Sequence, residues 1–123
     1  MSTKILIVED DKTLQSMYEF KLELLNFTVA VADNGEMGLQ KAQDFMPDLI
    51  LLDLMMPVMS GDEMLQRLRK TDWGAGIRVI ILTNISRDEA PSVLRFLNVD
   101  RYIVKAHHTP AQIVQIVNEV LGS

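Results

Sequence analysis

The sequence is 123 residues long, 48% hydrophobic and 24% charged, the size and balance of one globular domain able to bury a core. A formal charge of −5 argues against nucleic-acid binding, which needs clustered Lys and Arg, and the lack of any Cys excludes disulfides and thiolate chemistry. No apolar run reaches a membrane span, and Met1–Lys4 lead into an apolar strand without a basic signal region, so an acidic, cytoplasmic protein with no membrane role is expected.

Five short apolar runs alternate with helical patterns, which predicts an α/β domain with a parallel sheet. The first is Ile5–Val8, followed by a helix with Leu14, Met17, Tyr18 and Leu25 on one face and Lys21 within it. Asp11 reads better as the N-cap of that helix than as a metal ligand. The second strand is Thr28–Ala32 and the third Leu49–Leu52, each followed by a helix. Ser60 and Glu63 form a capping-box pair that starts the third helix after Pro57, and Arg67, Arg69 and Lys70 give that helix a basic end suited to its dipole. The fourth strand is Val79–Leu82. Ser86 and Glu89 predict a fourth helix, although Pro91 removes a hydrogen bond in its second turn. After the fifth strand, Tyr102–Val104, Thr109 and Pro110 start a fifth helix whose stripe is Ile113, Ile116, Val117, Val120 and Leu121, with Gly122 at its end. Runs one, three and four are continuously apolar, as strands covered on both faces require. The pattern is expected to fill residues 1–123 as one domain, with no output domain attached.

In such sheets ligands bind at the carboxyl ends of the strands. Those ends carry Glu9-Asp10-Asp11, Asp53, Thr83 and Lys105. Successive acids are the opposite of a phosphate-cradling glycine loop, and converging carboxylates need a cation or proton between them. Mg²⁺ is the natural choice, since it prefers hard oxygen ligands and keeps positions open for substrate oxygens. Asp53 could then attack phosphorus to give an acyl phosphate, with the Lys105 ammonium and the Thr83 hydroxyl covering phosphoryl oxygens. His107 and His108 are adjacent, point apart and have no further His or Cys to complete a site, so they read as solvated loop residues.

The segments ILIVEDD, DLILLDLMMPVMSG, IILT and YIVK together resemble the receiver domain of two-component response regulators, over essentially the whole chain. The resemblance implies a flavodoxin-like, doubly wound five-stranded parallel sheet of order 2-1-3-4-5 with five helices. It implies Glu9, Asp10, Asp53 and the Met55 carbonyl as Mg²⁺ ligands, Asp53 as phosphoacceptor, Thr83 and Lys105 as the phosphoryl-sensing pair, and Tyr102 as an aromatic switch. The implied partners are a histidine kinase or phosphotransfer protein and a downstream protein on the face of helix four, strand five and helix five. Phe96, Leu97 and Val99 fall in that region. A signalling switch is expected, not an enzyme with a separate substrate, in a monomer or weak dimer.

Three departures from the family pattern carry expectations. Ala106 stands where many members have Pro, which makes a cis peptide before it costly. Asn84 and Met55 stand beside the phosphoryl site, where they are expected to set the lifetime of the phosphorylated state. A phosphorylation-independent binding module ranks lower, because every acid, the acceptor and the lysine are present. An aspartyl-phosphate phosphatase needs a second carboxylate two residues past the nucleophile, where Met55 stands, and a flavin carrier needs a Ser, Thr and Gly loop where the acids stand.

Overall fold

The computed structural model describes residues 2–122; Met1 and Ser123, included in the expected domain, lie outside the described residues. Strands β1 (Lys4–Val8), β2 (Thr28–Ala32), β3 (Leu49–Leu52), β4 (Arg78–Thr83) and β5 (Arg101–Val104) alternate with helices α1 (Lys12–Leu24), α2 (Gly35–Phe45), α3 (Gly61–Arg69) and α4 (Pro110–Gly122). All pairings are parallel and the order is β2-β1-β3-β4-β5, as expected.

Side chains alternate across each strand, so the sheet separates two cores. Leu6, Val8, Ile50, Leu52, Val79 and Ile81 pack toward Ala42 of α2 and Met64, Leu65 and Leu68 of α3. Ile5, Ile7, Leu49, Leu51, Ile80 and Leu82 pack toward Tyr18 and Leu22 of α1 and Ile113, Val117 and Val120 of α4. This two-sided burial is why the central strands read as continuous apolar runs.

The helix starts follow their caps. Asp11 accepts from the Leu14 N–H at 3.1 Å, which makes it the N-cap of α1. Asn34 accepts from the Met37 N–H at 2.9 Å. Thr109 and Gln112 cap reciprocally, Oγ1 to the Gln112 N–H at 3.2 Å and Oε1 to the Thr109 N–H at 2.8 Å, with Pro110 as the first helical residue.

Two expectations need correction. The described residues form four α-helices, not five: between β4 and β5 lie only two 3₁₀ turns, Arg87–Glu89 and Ser92–Phe96. Pro91 has no N–H to donate, and Ala90 before it is held extended at φ −67°, ψ 148°. The predicted fifth helix is therefore α4. On α1 the buried stripe is Gln15, Tyr18 and Leu22, one position out of phase with the expected face; Leu14 and Met17 are half-buried and Leu25 is 45% exposed.

Candidate functional site

Parallel strands bring their carboxyl ends to one edge, so Glu9 after β1, Asp53 after β3, Thr83 ending β4 and Lys105 after β5 become neighbours there. Glu9, Asp53 and Thr83 are buried and Asp10 is exposed. Glu9, Asp10 and Asp53 each present a carboxylate oxygen within 4.8 Å of the others, the one such group of potential ligands among the described residues. Neither Asp11 nor the histidines join it: His107 is exposed, and a ring nitrogen of His108 lies 3.2 Å from the Val104 carbonyl oxygen.

Lys105 reaches into this acidic cluster. Its ammonium donates to Glu9 Oε1 and, at 3.1 Å, to Asp53 Oδ2. Burial opposes its charge, but the two carboxylates outweigh burial and hold the Lys105 pKa above its ordinary value. Burial raises the pKa of Glu9, against the opposing pull of Lys105 and the Asp11 N–H. The Asp11 N–H donates to Glu9 Oε2 at 3.1 Å, so both oxygens of this buried carboxylate are bonded.

Asp53 is fixed from the other side by the loop that follows β3. The Met55 N–H donates to Asp53 Oδ1 at 3.3 Å, while the Met55 side chain is 65% exposed. The Pro57 carbonyl accepts from the Met59 N–H at 2.7 Å across Val58, whose φ is +69°. That is a γ-turn with a β-branched residue at a positive φ, a conformation that stores strain. Gly61 lies against the backbone of Asp53, where a Cβ would overlap the carbonyl oxygen, and its N–H donates to Leu54 at 3.0 Å. The start of α3 thus sits directly on the Asp53 peptide.

The Thr83 Oγ1 accepts from the Ile85 N–H at a long 3.5 Å, and the Tyr102 hydroxyl donates to the Ile85 carbonyl at 2.7 Å. Ile85 is therefore gripped on both sides, by Thr83 through its N–H and by Tyr102 through its C=O. The Tyr102 ring also lies under the Arg87 guanidinium, 5.6 Å from its centroid. The peptide before Ala106 is trans. Of the apolar residues expected on the partner face, Phe96 is 82% exposed, whereas Leu97 and Val99 pack against the core.

The donor set suits a hard divalent cation: three carboxylates converge, one of them exposed to accept an incoming ion. Gln15 was not among the predicted site residues. It is buried and donates to the Glu9 carbonyl at 2.9 Å. Its one signal in the sequence is a polar residue at helical spacing from Tyr18 and Leu22.

The chain matches the response regulator receiver domain family over residues 5–118. It is 33% identical over 118 residues to the phosphate regulon transcriptional regulatory protein PhoB of Rhizobium meliloti (strain 1021), covering 94% of this chain and 51% of that protein. The chain spans about half the length of the curated relatives it matches. Among solved structures it resembles the chemotaxis response regulator CheY4 of Vibrio cholerae, with a TM-score of 0.89, 26% identity and coverage of 98% and 100% of the two chains. It also resembles the response regulator protein TrrA of Thermotoga maritima in complex with Mg(2+)-BeF, with a TM-score of 0.83, 27% identity and coverage of 97% and 99%. No helix among the described residues is long and apolar enough to cross a membrane. The sheet order, the acidic edge and the family match agree: this chain belongs to the response regulator receiver domains, the signalling-switch modules of two-component systems.

Proposed function

We propose that residues 1–123 form a receiver domain that takes a phosphoryl group on Asp53 from a histidine kinase or phosphotransfer protein and, through the resulting change of shape, regulates a downstream protein. The observation that carries this reading is the Lys105 ammonium bonded to both Glu9 and Asp53, beside an exposed Asp10 within ligand distance of both.

Glu9, Asp10, Asp53 and the Met55 carbonyl would hold Mg²⁺, which when bound supplies positive charge to the phosphoryl oxygens. An Asp53 carboxylate oxygen attacks phosphorus, the bond from phosphorus to the donor's imidazole nitrogen breaks, and the imidazole leaves with that electron pair. Lys105 is already within reach of Asp53 and shifts from Glu9 to a phosphoryl oxygen. The Thr83 hydroxyl, held only by the long contact to the Ile85 N–H, turns to donate to another. Its departure loosens Ile85, whose carbonyl carries the Tyr102 hydroxyl, so Tyr102 is freed to change position.

The surface that would report this change comprises the 3₁₀ turns, β5 and α4. A cavity of about 640 Å³ lined by Arg87, Leu94, Arg95, Arg101 and Tyr102 lies there, beside exposed Phe96. Met55 and Asn84, both exposed at the site, set the lifetime of the acyl phosphate by controlling the approach of water. On this reading the domain phosphorylates itself from small donors, dephosphorylates slowly, works in the cytoplasm as a monomer or weak dimer, and contacts neither nucleic acid nor membrane.

Incubation with acetyl phosphate, followed by intact-mass analysis, tests the reading. One Mg²⁺-dependent phosphoryl addition is expected, absent from Asp53→Ala. No addition, or addition that persists in Asp53→Ala, would remove Asp53 as the acceptor.

A further inference from the structure

Among the described residues, four polar or charged side chains are buried: Glu9, Gln15, Asp53 and Thr83. Three of them belong to the site proposed above. The fourth, Gln15, sits on α1 among the apolar residues Tyr18 and Leu22, where an uncompensated amide would be costly. Its Nε2 donates to the Glu9 carbonyl at 2.9 Å, the Asp33 carboxylate at 3.0 Å and the Ala32 carbonyl at 3.2 Å. An amide has two N–H groups, so one is shared among these three acceptors. The reverse orientation of the amide would face its own oxygen to three oxygens, which fixes the assignment chemically.

These contacts single out one peptide group. The Glu9 N–H already bonds the Ala32 carbonyl at 3.0 Å, and the Glu9 carboxylate is bonded by Asp11 and Lys105. The remaining group, the Glu9 carbonyl, belongs to the peptide joining Glu9 to Asp10, and Gln15 bonds it. Asp10 itself is exposed, and this peptide fixes the backbone from which its carboxylate extends. The other contacts of the amide tie that peptide to the end of β2, and Asp33 is in turn anchored by the Lys12 ammonium at 2.5 Å.

We propose that Gln15 is a positioning residue for the metal site: its amide orients the Glu9–Asp10 peptide and so tunes the affinity for Mg²⁺ without touching the ion. The inference rests on the metal-site reading above. Residues that orient ligands from behind typically change metal affinity about 10–100-fold when replaced. An amide is the side chain the position needs. A carboxylate of the same length could not donate and would repel Asp33, and an apolar side chain would leave the Glu9 carbonyl without this donor.

The test is a Mg²⁺ titration of the full chain followed by the backbone amide resonances of Asp10 and Asp53. Wild type, Gln15→Met and Val117→Ala are compared; the last is a truncation in the same α1–α4 core that replaces no residue of the site. Gln15→Met is expected to bind Mg²⁺ about tenfold more weakly, and Val117→Ala within twofold of wild type. In wild type, the Gln15 side-chain amide protons are expected to shift with the same midpoint as Asp10, while those of exposed Gln40 stay still. This second readout needs no variant to fold. Unchanged affinity in folded Gln15→Met, equal weakening in Val117→Ala, or a silent Gln15 amide would each overturn the proposal. If wild type itself showed no Mg²⁺ response, the metal-site reading would fail first and take this one with it. A normal wild-type response with an unaffected variant would remove the role of Gln15 alone.

Discussion

The two Ser-x-x-Glu pairs that precede the third and fourth predicted helices, Ser60–Glu63 and Ser86–Glu89, have different fates. At the first, the Ser60 hydroxyl accepts from the Glu63 N–H at 3.4 Å and a nine-residue helix forms. At the second, the Ser86 hydroxyl bonds the Glu89 carboxylate at 2.9 Å, no side chain caps the backbone, and only a three-residue turn forms. The residues downstream of each motif account for the difference. After Ser60 come Met64, Leu65 and Leu68, which bury one helix face, and Arg67, which takes up the Glu63 carboxylate at 2.9 Å. After Ser86 come Ala90 and Pro91, which end the turn before a face can be buried. A capping motif starts a helix only where the residues behind it can continue one.

Without a helix, the segment between β4 and β5 depends on contacts from outside itself. Arg69, the last residue of α3, donates to the carbonyls of Leu97 at 2.8 Å and Asn98 at 3.0 Å, and to Ile77 at 2.7 Å and Gly74 at 3.0 Å in the loop before β4. Burial lowers the pKa of this guanidinium below its usual value. At the other end, the Tyr102 hydroxyl holds Ile85. Arg69→Met is therefore expected to have the largest effect, about 3 kcal/mol of stability lost. Chemical denaturation measures it, and hydrogen exchange should rise at Leu97 and Asn98; a loss under about 0.5 kcal/mol would mean that the segment holds itself. Next comes the paired comparison of the two serines. Ser60→Ala is expected to cost about 1 kcal/mol, the usual worth of a cap, and Ser86→Ala to stay within about 0.5 kcal/mol. Equal costs would show that the motifs do the same work after all. The smallest change is expected from Pro91→Ala. It should alter stability by less than about 1 kcal/mol and deepen the circular-dichroism band of helix; an unchanged spectrum would exonerate the proline.

The strands were the most legible elements, because central strands covered on both faces must be continuously apolar. Each expected strand lies within the observed one, with β1 extended by Lys4, β4 by Arg78 and Thr83 and β5 by Arg101, polar residues that a run of apolar letters leaves out. The loss of the fourth helix was half-legible in Pro91, yet nothing in the sequence says that Ser86 turns its hydroxyl to a carboxylate instead of a backbone N–H. The ends of the strands carry the candidate site: the positions of Asp53, Glu9 and Lys105 at that edge were readable one by one from the strands they follow. Their mutual bonding was not, since Lys105 and Glu9 are 96 positions apart in the chain. Gln15 was missed for a related reason. A polar residue in a buried stripe weakens the apolar pattern, and the predicted face of α1 shifted by one position to avoid it.

The tryptophan is a case where position determines what an optical signal can report. Trp73, the sole tryptophan, lies in the loop between α3 and β4 and packs against the core beneath it. That loop delivers the chain to the amino end of β4, whereas Asp53 and its neighbours stand at the carboxyl ends, across the length of the sheet. Its carbonyls at Gly74 and Ile77 are the ones Arg69 grips. Tryptophan fluorescence in this chain is therefore a gauge of the Arg69 clamp and of the amino edge of the sheet, and events at Asp53 lie outside its reach.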